Sequence, residues 1–543
     1  MRRMNYDFIS RRSMVLGQGG MVAANNPLAA QAGLDVLRRG GNAADAAVAT
    51  AAMLNVTDPA STGIGGDMFA LYYDAKSRTI TALNGSGRAP AAASISALAE
   101  RGITGAIPDR SVYAITVPGA CMGWHDLLAR HGRMGLADVL RDPIHYARDG
   151  YPVHSVFGDA WAAPRNVRFL AQSPNTEDYL PGGKAPKVGQ VVKLPGLART
   201  FQLVAEGGPA AYYEGPIAEA IVSTVQSLGG LLTLDDLKAH CSTWDEPIST
   251  TYRGVTIHEC PPNGQGLTAL IAMNIAEGFD LAAMPWDSPE RLHLMVEAMR
   301  LAFADARHYI ADPAHADVPT HGLLDKGYAA QRRALISADH AMQPPSFGMP
   351  PDSSDTVYLC TADGEGNACS FINSLYMGFG TGIVAKGYGV FLQNRGANFV
   401  LEPGHRNALE GGKRPYHTII PGMATRADGS LFGPFGVMGG FMQPQGHFQV
   451  VSGMIDDVLN PQEALDRPRW CLSDGTGDSV LALEDGISFK TAARLASLGH
   501  NVRPVTGDER SLFGCGQIII RDPETGVLYG GCDPRKDSVV AVF

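Results

Sequence analysis

From Val357 onward the side chains alternate. Val357, Leu359 and Thr361 fall on one face, and Tyr358, Cys360 and Ala362 on the other. A period of two predicts a strand. Asp363-Gly364-Glu365-Gly366-Asn367 is a turn cluster, and an apolar run resumes over 368–374, so the pair predicts a β-hairpin. Other stretches carry helical spacing. Ser288-Pro289-Glu290 is a start signal, and Leu292, Met295, Val296, Met299 and Phe303 after it share one face, which predicts a core helix. Asn26-Pro27 opens a helix to about Arg39, stopped by Gly40-Gly41. Asn42 caps a second, Ala-rich helix through about Leu54, and Asp58-Pro59 ends it. Strands are predicted at 68–74, 388–394, 417–424, 431–437, 517–521 and 527–529, with a helix near 443–459. No internal repeat or low-complexity tract interrupts this order.

Length and charge narrow the classes. At 543 residues the chain can bury a large core. Its net charge of −10 disfavours binding to a phosphate backbone, which needs basic patches. The eight cysteines show no C-x-x-C and no Cys/His cluster at zinc spacing, so they read as buried thiols, and no metal or other cofactor is expected. Arg11-Arg12 hints at a twin-arginine signal, but the apolar run after it stops at Gly17. No stretch approaches 18 apolar residues, so no membrane span and a cytoplasmic location are the expectations. Residues 173–187 read as a long surface loop. The Pro/Ser-rich 343–354 reads as a linker.

Asp355-Thr356 opens the hairpin, where a hydroxyl at a strand edge could meet a substrate. Taken alone, such a pair is ordinarily structural. Its surroundings add a resemblance. Thr356, Gly366-Asn367-Ala368 and Phe379-Gly380-Thr381-Gly382-Ile383-Val384 resemble the start of the small subunit in the γ-glutamyltransferase family. GGNAADAAVA from Gly40 and GIGGDMF from Gly63 are similar to its large subunit. The resemblance covers almost the whole chain. It implies an N-terminal-nucleophile hydrolase: α+β, a four-layer αββα sandwich, made as one inactive chain that cuts itself before Thr356. The pieces would be a helix-rich large subunit, 1–355, and a strand-rich small subunit, 356–543. The implied partners are a small-molecule amide and the companion fragment, with a dimer of such heterodimers, no nucleic acid and no membrane.

The chemistry needs a nucleophile, a base and an oxyanion site. A threonine hydroxyl is a poor nucleophile at its own pKa. A free α-amine, with a pKa of about 7.7–8, can take its proton. Before cleavage that amine is an amide, so the uncut chain has no base. The resemblance gives Ser374 the place of a hydroxyl that bonds the terminal Thr. It gives Gly439-Gly440 the place of the oxyanion donors. Ser353 and Ser354 are rival cut sites outside the strand.

In the pocket the sequence departs from glutathione-cleaving members. Tyr376, Arg395 and Asn398 stand where those have Asn, Gln and Asp, and His417-Thr418 stand for Ser-Ser. Their carboxylate-gripping Arg is replaced by Ser86, with Arg88 two residues on. Asn398 has lost the charge that pairs with a γ-glutamyl α-ammonium, while Arg395 has gained one suited to a carboxylate. The expected donors are γ-glutamyl compounds such as glutathione. The alternative is a dicarboxylic monoamide without an α-ammonium, glutaryl- or oxamate-like. Two other readings compete. Gly380 to Ala385 fits G-x-G-x-x-A, the dinucleotide fingerprint, though without a parallel strand before it or an acidic residue about 20 positions on. A relative that never matures and serves as a binding scaffold is the other.

Overall fold

The computed structural model describes residues 12–342, 356–473 and 479–543. Two seven-stranded antiparallel sheets form its centre. The first runs Val539–Val542, Gly20–Ala24, Val357–Asp363, Ala368–Ser374, Asp67–Asp74, Thr79–Gly85, Thr243–Asp245. The second runs Val15–Gly17, Leu528–Cys532, Cys515–Arg521, Leu431–Met438, Gly422–Thr425, Val255–Glu259, Ile248–Tyr252. Each sheet mixes strands from before and after Thr356, so neither stretch could keep its sheet without the other.

The period-two pattern explains the layering. Val357, Leu359, Cys369 and Phe371 belong to the core shared with the outer helices Pro27–Arg38 and Ala43–Thr57. Tyr358, Cys360, Ala362, Ala368 and Ile372 face the other way, into the core between the sheets. Both faces of the hairpin are therefore buried, each large side chain contributing about 1.5–3 kcal/mol. A third core joins the second sheet to Gly266–Ala276, Pro289–Tyr309 and Met442–Ile455. Helix, sheet, sheet and helix give the αββα sandwich.

Local signals set the boundaries. Asn26 caps its helix by accepting from Leu28 N at 2.9 Å. Asn42 and Asp45 form a capping box at the next. The two helices pack closely because Gly33 lies against Thr50 and Ala46, where a Cβ would come within 2.2 Å of Thr50 Oγ1.

Several expectations need correction. The strands foreseen at 388–394 and 417–424 shrink to Val390–Phe391 and Gly422–Thr425. Of their remaining residues, Leu392, Gln393 and Asn394 donate through their backbone N to Ile383 O, Gly65 O and Leu375 O, while Thr418 O and Ile420 N bond to the side-chain amides of Gln265 and Gln443. The stretch 173–187 is not simply surface: Thr176, Tyr179 and Leu180 are buried, and Tyr179 donates to Gly389 O at 2.6 Å. Cys241 is exposed, against the expectation of buried thiols. No helix follows Gly380-Thr381-Gly382; Val384–Ala385 is a two-residue strand, which removes the dinucleotide reading. The linker 343–354, Asp355 and the possible signal at Arg11 lie outside the described residues. No described helix is long and apolar enough to cross a membrane.

Candidate active site

The site begins at the ends of adjacent strands. Asn373 pairs with Val357, and Ser374 pairs with Asp67 on the next strand. Thr356, Ser374 and Asp67 thus lie side by side across three strands. Thr356 Oγ1 and Ser374 Oγ are 3.0 Å apart, both fully buried. Tyr376 N donates to Ser374 Oγ at 2.8 Å, which fixes that hydroxyl. Gly66 allows the approach, since a Cβ there would sit 2.1 Å from Ser374 O.

Asp67 organises the polar floor. Its Oδ1 accepts from Gly87 N (2.8 Å) and Gln393 Nε2 (2.9 Å), and its Oδ2 from His417 Nε2 (2.9 Å). His417 Nδ1 accepts from Ile419 N at 3.4 Å, so the ring is the neutral Nε2–H tautomer. Burial, reinforced by Arg395, pushes His417 down to about 4.

Arg395 is the odd group. It is fully buried, its guanidinium lies 4.4 Å from the Tyr376 ring centroid, and Nη1 donates to Thr418 Oγ1 at 2.6 Å. Asp67 Oδ2 is 3.7 Å from Nε, an ion pair beyond hydrogen-bonding reach. Nε and Nη2 have no hydrogen-bond partner among the described residues. Burial pulls Arg395 down to about 10, with Asp67 only partly opposing it. A buried guanidinium with two unpaired donors on one edge is built to receive an anion.

Gly439 and Gly440 follow the strand Leu431–Met438 with φ of +130° and +58°, a geometry that favours glycine. Their carbonyls accept from Met442 N and Gln443 N, while no described residue accepts from either N–H. Two free N–H groups suit a developing oxyanion.

Of the remaining candidates, Asn398 is half-buried with Nδ2 unpartnered, and its carbonyl accepts from Asn407 Nδ2 at 2.6 Å. Arg88 points elsewhere: it donates to Cys241 O at 3.2 Å, a carbonyl that Arg414 also uses at 3.3 Å. Sequence reasoning missed Asp67, which sits in the GIGGDMF stretch and was visible there only as the start of a strand. It also missed Gln265 and Gln393, buried amides that no spacing rule singles out.

One His/Glu/His group, His293, Glu297 and His500, could hold a cation by proximity. Its atoms are already paired: His293 Nδ1 with His500 Nε2 at 2.8 Å, and Glu297 with Arg300 Nη1 (2.6 Å) and Met342 N (2.8 Å). These bonds account for the group without an ion.

The family model described as gamma-glutamyltranspeptidase matches residues 29–543. The chain belongs to this family. It is 40% identical over 527 residues to the glutathione hydrolase-like YwrD proenzyme of Bacillus subtilis (strain 168), covering 96% of this chain and 98% of that one. It is 36% identical over 535 residues to the oxamate amidohydrolase proenzyme of Klebsiella pneumoniae, covering 96% and 98%. The crystal structure of cephalosporin acylase from Bacillus halodurans superposes with a TM-score of 0.93 at 44% identity, covering 100% of this chain and 99% of that one. The fold is thus that of the N-terminal-nucleophile hydrolases in this family, and the chain is an enzyme of their kind, an amide hydrolase or acyltransferase.

Proposed function

We propose that this family member cleaves amides whose acyl group carries a carboxylate and no α-ammonium, through an acyl-enzyme on Thr356. The observation that carries this reading is Arg395, buried, ion-paired with Asp67 and with Nε and Nη2 making no hydrogen bond among the described residues. Cleavage after Asp355 frees the Thr356 amine and yields pieces of 355 and 188 residues (543 − 355). The amine takes the proton of Oγ1 as the oxygen attacks the amide carbonyl. Ser374 holds Oγ1 in place. The N–H groups of Gly439 and Gly440 receive the oxyanion, each such donor being worth roughly 3–4 kcal/mol in the transition state. The protonated amine then passes its proton to the leaving nitrogen, and water or an amine takes the acyl group. Before scission the base does not exist, so the uncut chain turns over no substrate.

Arg395 binds the remote carboxylate edge-on, with Tyr376 beneath the guanidinium and Thr418 and Asp67 fixing its orientation. A γ-glutamyl donor is the second reading, favoured by the glutathione hydrolase-like relative. It asks for an anion opposite the α-ammonium, where Asn398 offers only a carboxamide. The names of the oxamate amidohydrolase and cephalosporin acylase relatives support donors outside the γ-glutamyl class.

The test is a panel of γ-glutamyl, glutaryl and short dicarboxylic monoamides with Thr356→Ala as control. The wild type should run as two bands on denaturing gels and prefer the donors without an ammonium group. Thr356→Ala should stay at 57.5 kDa and be inert. A fully active Thr356→Ala, or an uncut active wild type, overturns the assignment; a single inert wild-type band supports the scaffold alternative.

A further inference from the structure

The chemistry above gives no part to the loop Pro261-Pro262-Asn263-Gly264-Gln265-Gly266. Its central amide is placed unusually. Gln265 is fully buried, and its single Nε2 donates to two carbonyls on separate segments: Thr418 O at 2.7 Å and Gly440 O at 2.8 Å. Its Oε1 accepts from Tyr416 OH at 3.0 Å, and its backbone N donates to His417 O at 2.9 Å. Thr418 is the residue whose hydroxyl holds Arg395, and Gly440 belongs to the oxyanion pair.

We infer that Gln265 is a positioning residue that locks the oxyanion glycines to the carboxylate-binding segment, so that one buried carboxamide sets the spacing between the two ends of the bound acyl group. This rests on the proposed roles of Gly439-Gly440 and Arg395. The chemistry of the group is specific. Two N–H bonds and one acceptor on a single planar group require a carboxamide. A carboxylate would face two carbonyl oxygens, and a thioether or alkyl chain would donate to neither. Gly440 has little else to fix it from outside its own helix start: its carbonyl otherwise accepts only from Gln443 N at 3.1 Å. Neighbouring bonds brace the clamp. Asn263 donates to Pro415 O at 2.7 Å and accepts from Asn84 Nδ2 at 2.9 Å, and Asn263 O accepts from His417 N at 2.9 Å.

A purely structural amide is available as a control. Gln449 also bridges two segments with one carboxamide, donating to Gln445 O (3.1 Å) and Trp470 O (2.9 Å) and accepting from Trp470 N (3.0 Å). None of its partners belongs to the site. The experiment compares Gln265→Met, Gln449→Met and Tyr416→Phe as full-length protein. It reads kcat and KM per processed chain on a carboxylate-bearing anilide, the rate of self-cleavage, and the melting midpoint. Gln265→Met should lower kcat about 10–100-fold, the penalty of an ångström-scale misplacement, and slow self-cleavage with it. Gln449→Met should lower the melting midpoint similarly while kcat stays within twofold. Tyr416→Phe, which removes only the acceptor-side bond, should give a smaller loss of kcat in the same direction and serves if Gln265→Met does not fold. Equal kcat losses in Gln265→Met and Gln449→Met, or no loss in Gln265→Met or Tyr416→Phe, overturn the inference. If that happens while Thr356→Ala is inert and uncut, the reading of the nucleophile survives; an active Thr356→Ala strikes that reading instead.

Discussion

Replacing Arg395 by Gln removes the guanidinium with its bond to Thr418, its stack on Tyr376 and its ion pair with Asp67. Burial lowers Arg395 to about 10, so part of its desolvation is left uncompensated in the free enzyme. It is uncompensated because Asp67, the nearest carboxylate, is 3.7 Å away and already accepts from Gly87, Gln393 and His417. A substrate carboxylate on Nε and Nη2 would gain two charge-assisted bonds, each worth about 1.5–3 kcal/mol. The variant should therefore lose about 3–5 kcal/mol of transition-state stabilisation with such donors, roughly 10²–10⁴ in kcat/KM. A neutral donor of equal length should change by less than about tenfold, since it never used those bonds. Glutaryl and valeryl p-nitroanilides form the required pair, read by nitroaniline release. The melting midpoint should fall as well, because Asp67 stays buried without the cation beside it, so rates are compared per folded, processed chain. Equal losses for both anilides, or none for the glutaryl one, would refute the argument that Arg395 reads a carboxylate.

Restoring the acidic partner as well, in Arg395→Gln with Asn398→Asp, should move donor preference toward γ-glutamyl anilides; an unchanged ranking counts against the pocket assignment. Ser374→Ala loses the hydroxyl that joins Thr356 Oγ1 and Tyr376 N and should lower kcat about 10–100-fold, whereas Ser374→Thr should keep most of the rate. His417 is neutral in the fold and held to about 4, below its ordinary 6.5, by burial and by Arg395, against the opposing pull of Asp67. Between pH 6.5 and 4 the unfolded chain takes up a proton that the folded chain refuses, so its contribution to stability falls as pH falls and is constant above 6.5. His417→Gln should remove a slope of at most about 1.4 kcal/mol per pH unit, seen as melting curves of variant and wild type converging on acidification; parallel curves would sink this.

What the sequence discloses here depends on how local each cause is. The hairpin Val357–Asp363 and Ala368–Ser374 was legible, save that Asp363 was placed in the turn, because alternation and a Gly-rich turn act within a few positions. The helix starts at Pro27, Ala43 and Pro289 were legible because Asn26, Asn42 and Ser288 carry cap chemistry. Residues 388–394 and 417–424 misled because apolar runs buried in irregular loops look like strands when their bonds come from scattered loop backbone, hydroxyls and distant amides. Asn394 Oδ1 accepts from Met377 N at 3.1 Å, and Asn407 Oδ1 from Tyr416 N at 2.9 Å, replacing a ladder. The contact of Arg88 was likewise not readable, since proximity in sequence to Ser86 says nothing of Cys241 O, which accepts from its guanidinium. Asp67 was invisible as a site residue because its partners lie 20, 326 and 350 positions away.

This split between local and distant causes also separates two kinds of function in the molecule. The proposed nucleophile, Thr356, opens a hairpin buried on both faces, where a shifted register would turn every side chain into the wrong core. The groups proposed to read the donor lie instead on irregular segments, 375–398 and 413–420, stitched by carboxamides such as Gln265, Asn263, Gln393 and Asn394. A substitution there changes one or two bonds without moving a strand. Donor choice can then change while the attacking hydroxyl stays fixed, which fits a family whose members are named for glutathione, oxamate and cephalosporin and whose fold is nevertheless held in common. The exception should be the amide that touches both kinds of segment. Because Gln265 reaches from Thr418 to Gly440, the role inferred for it requires that changing it alter recognition and rate together.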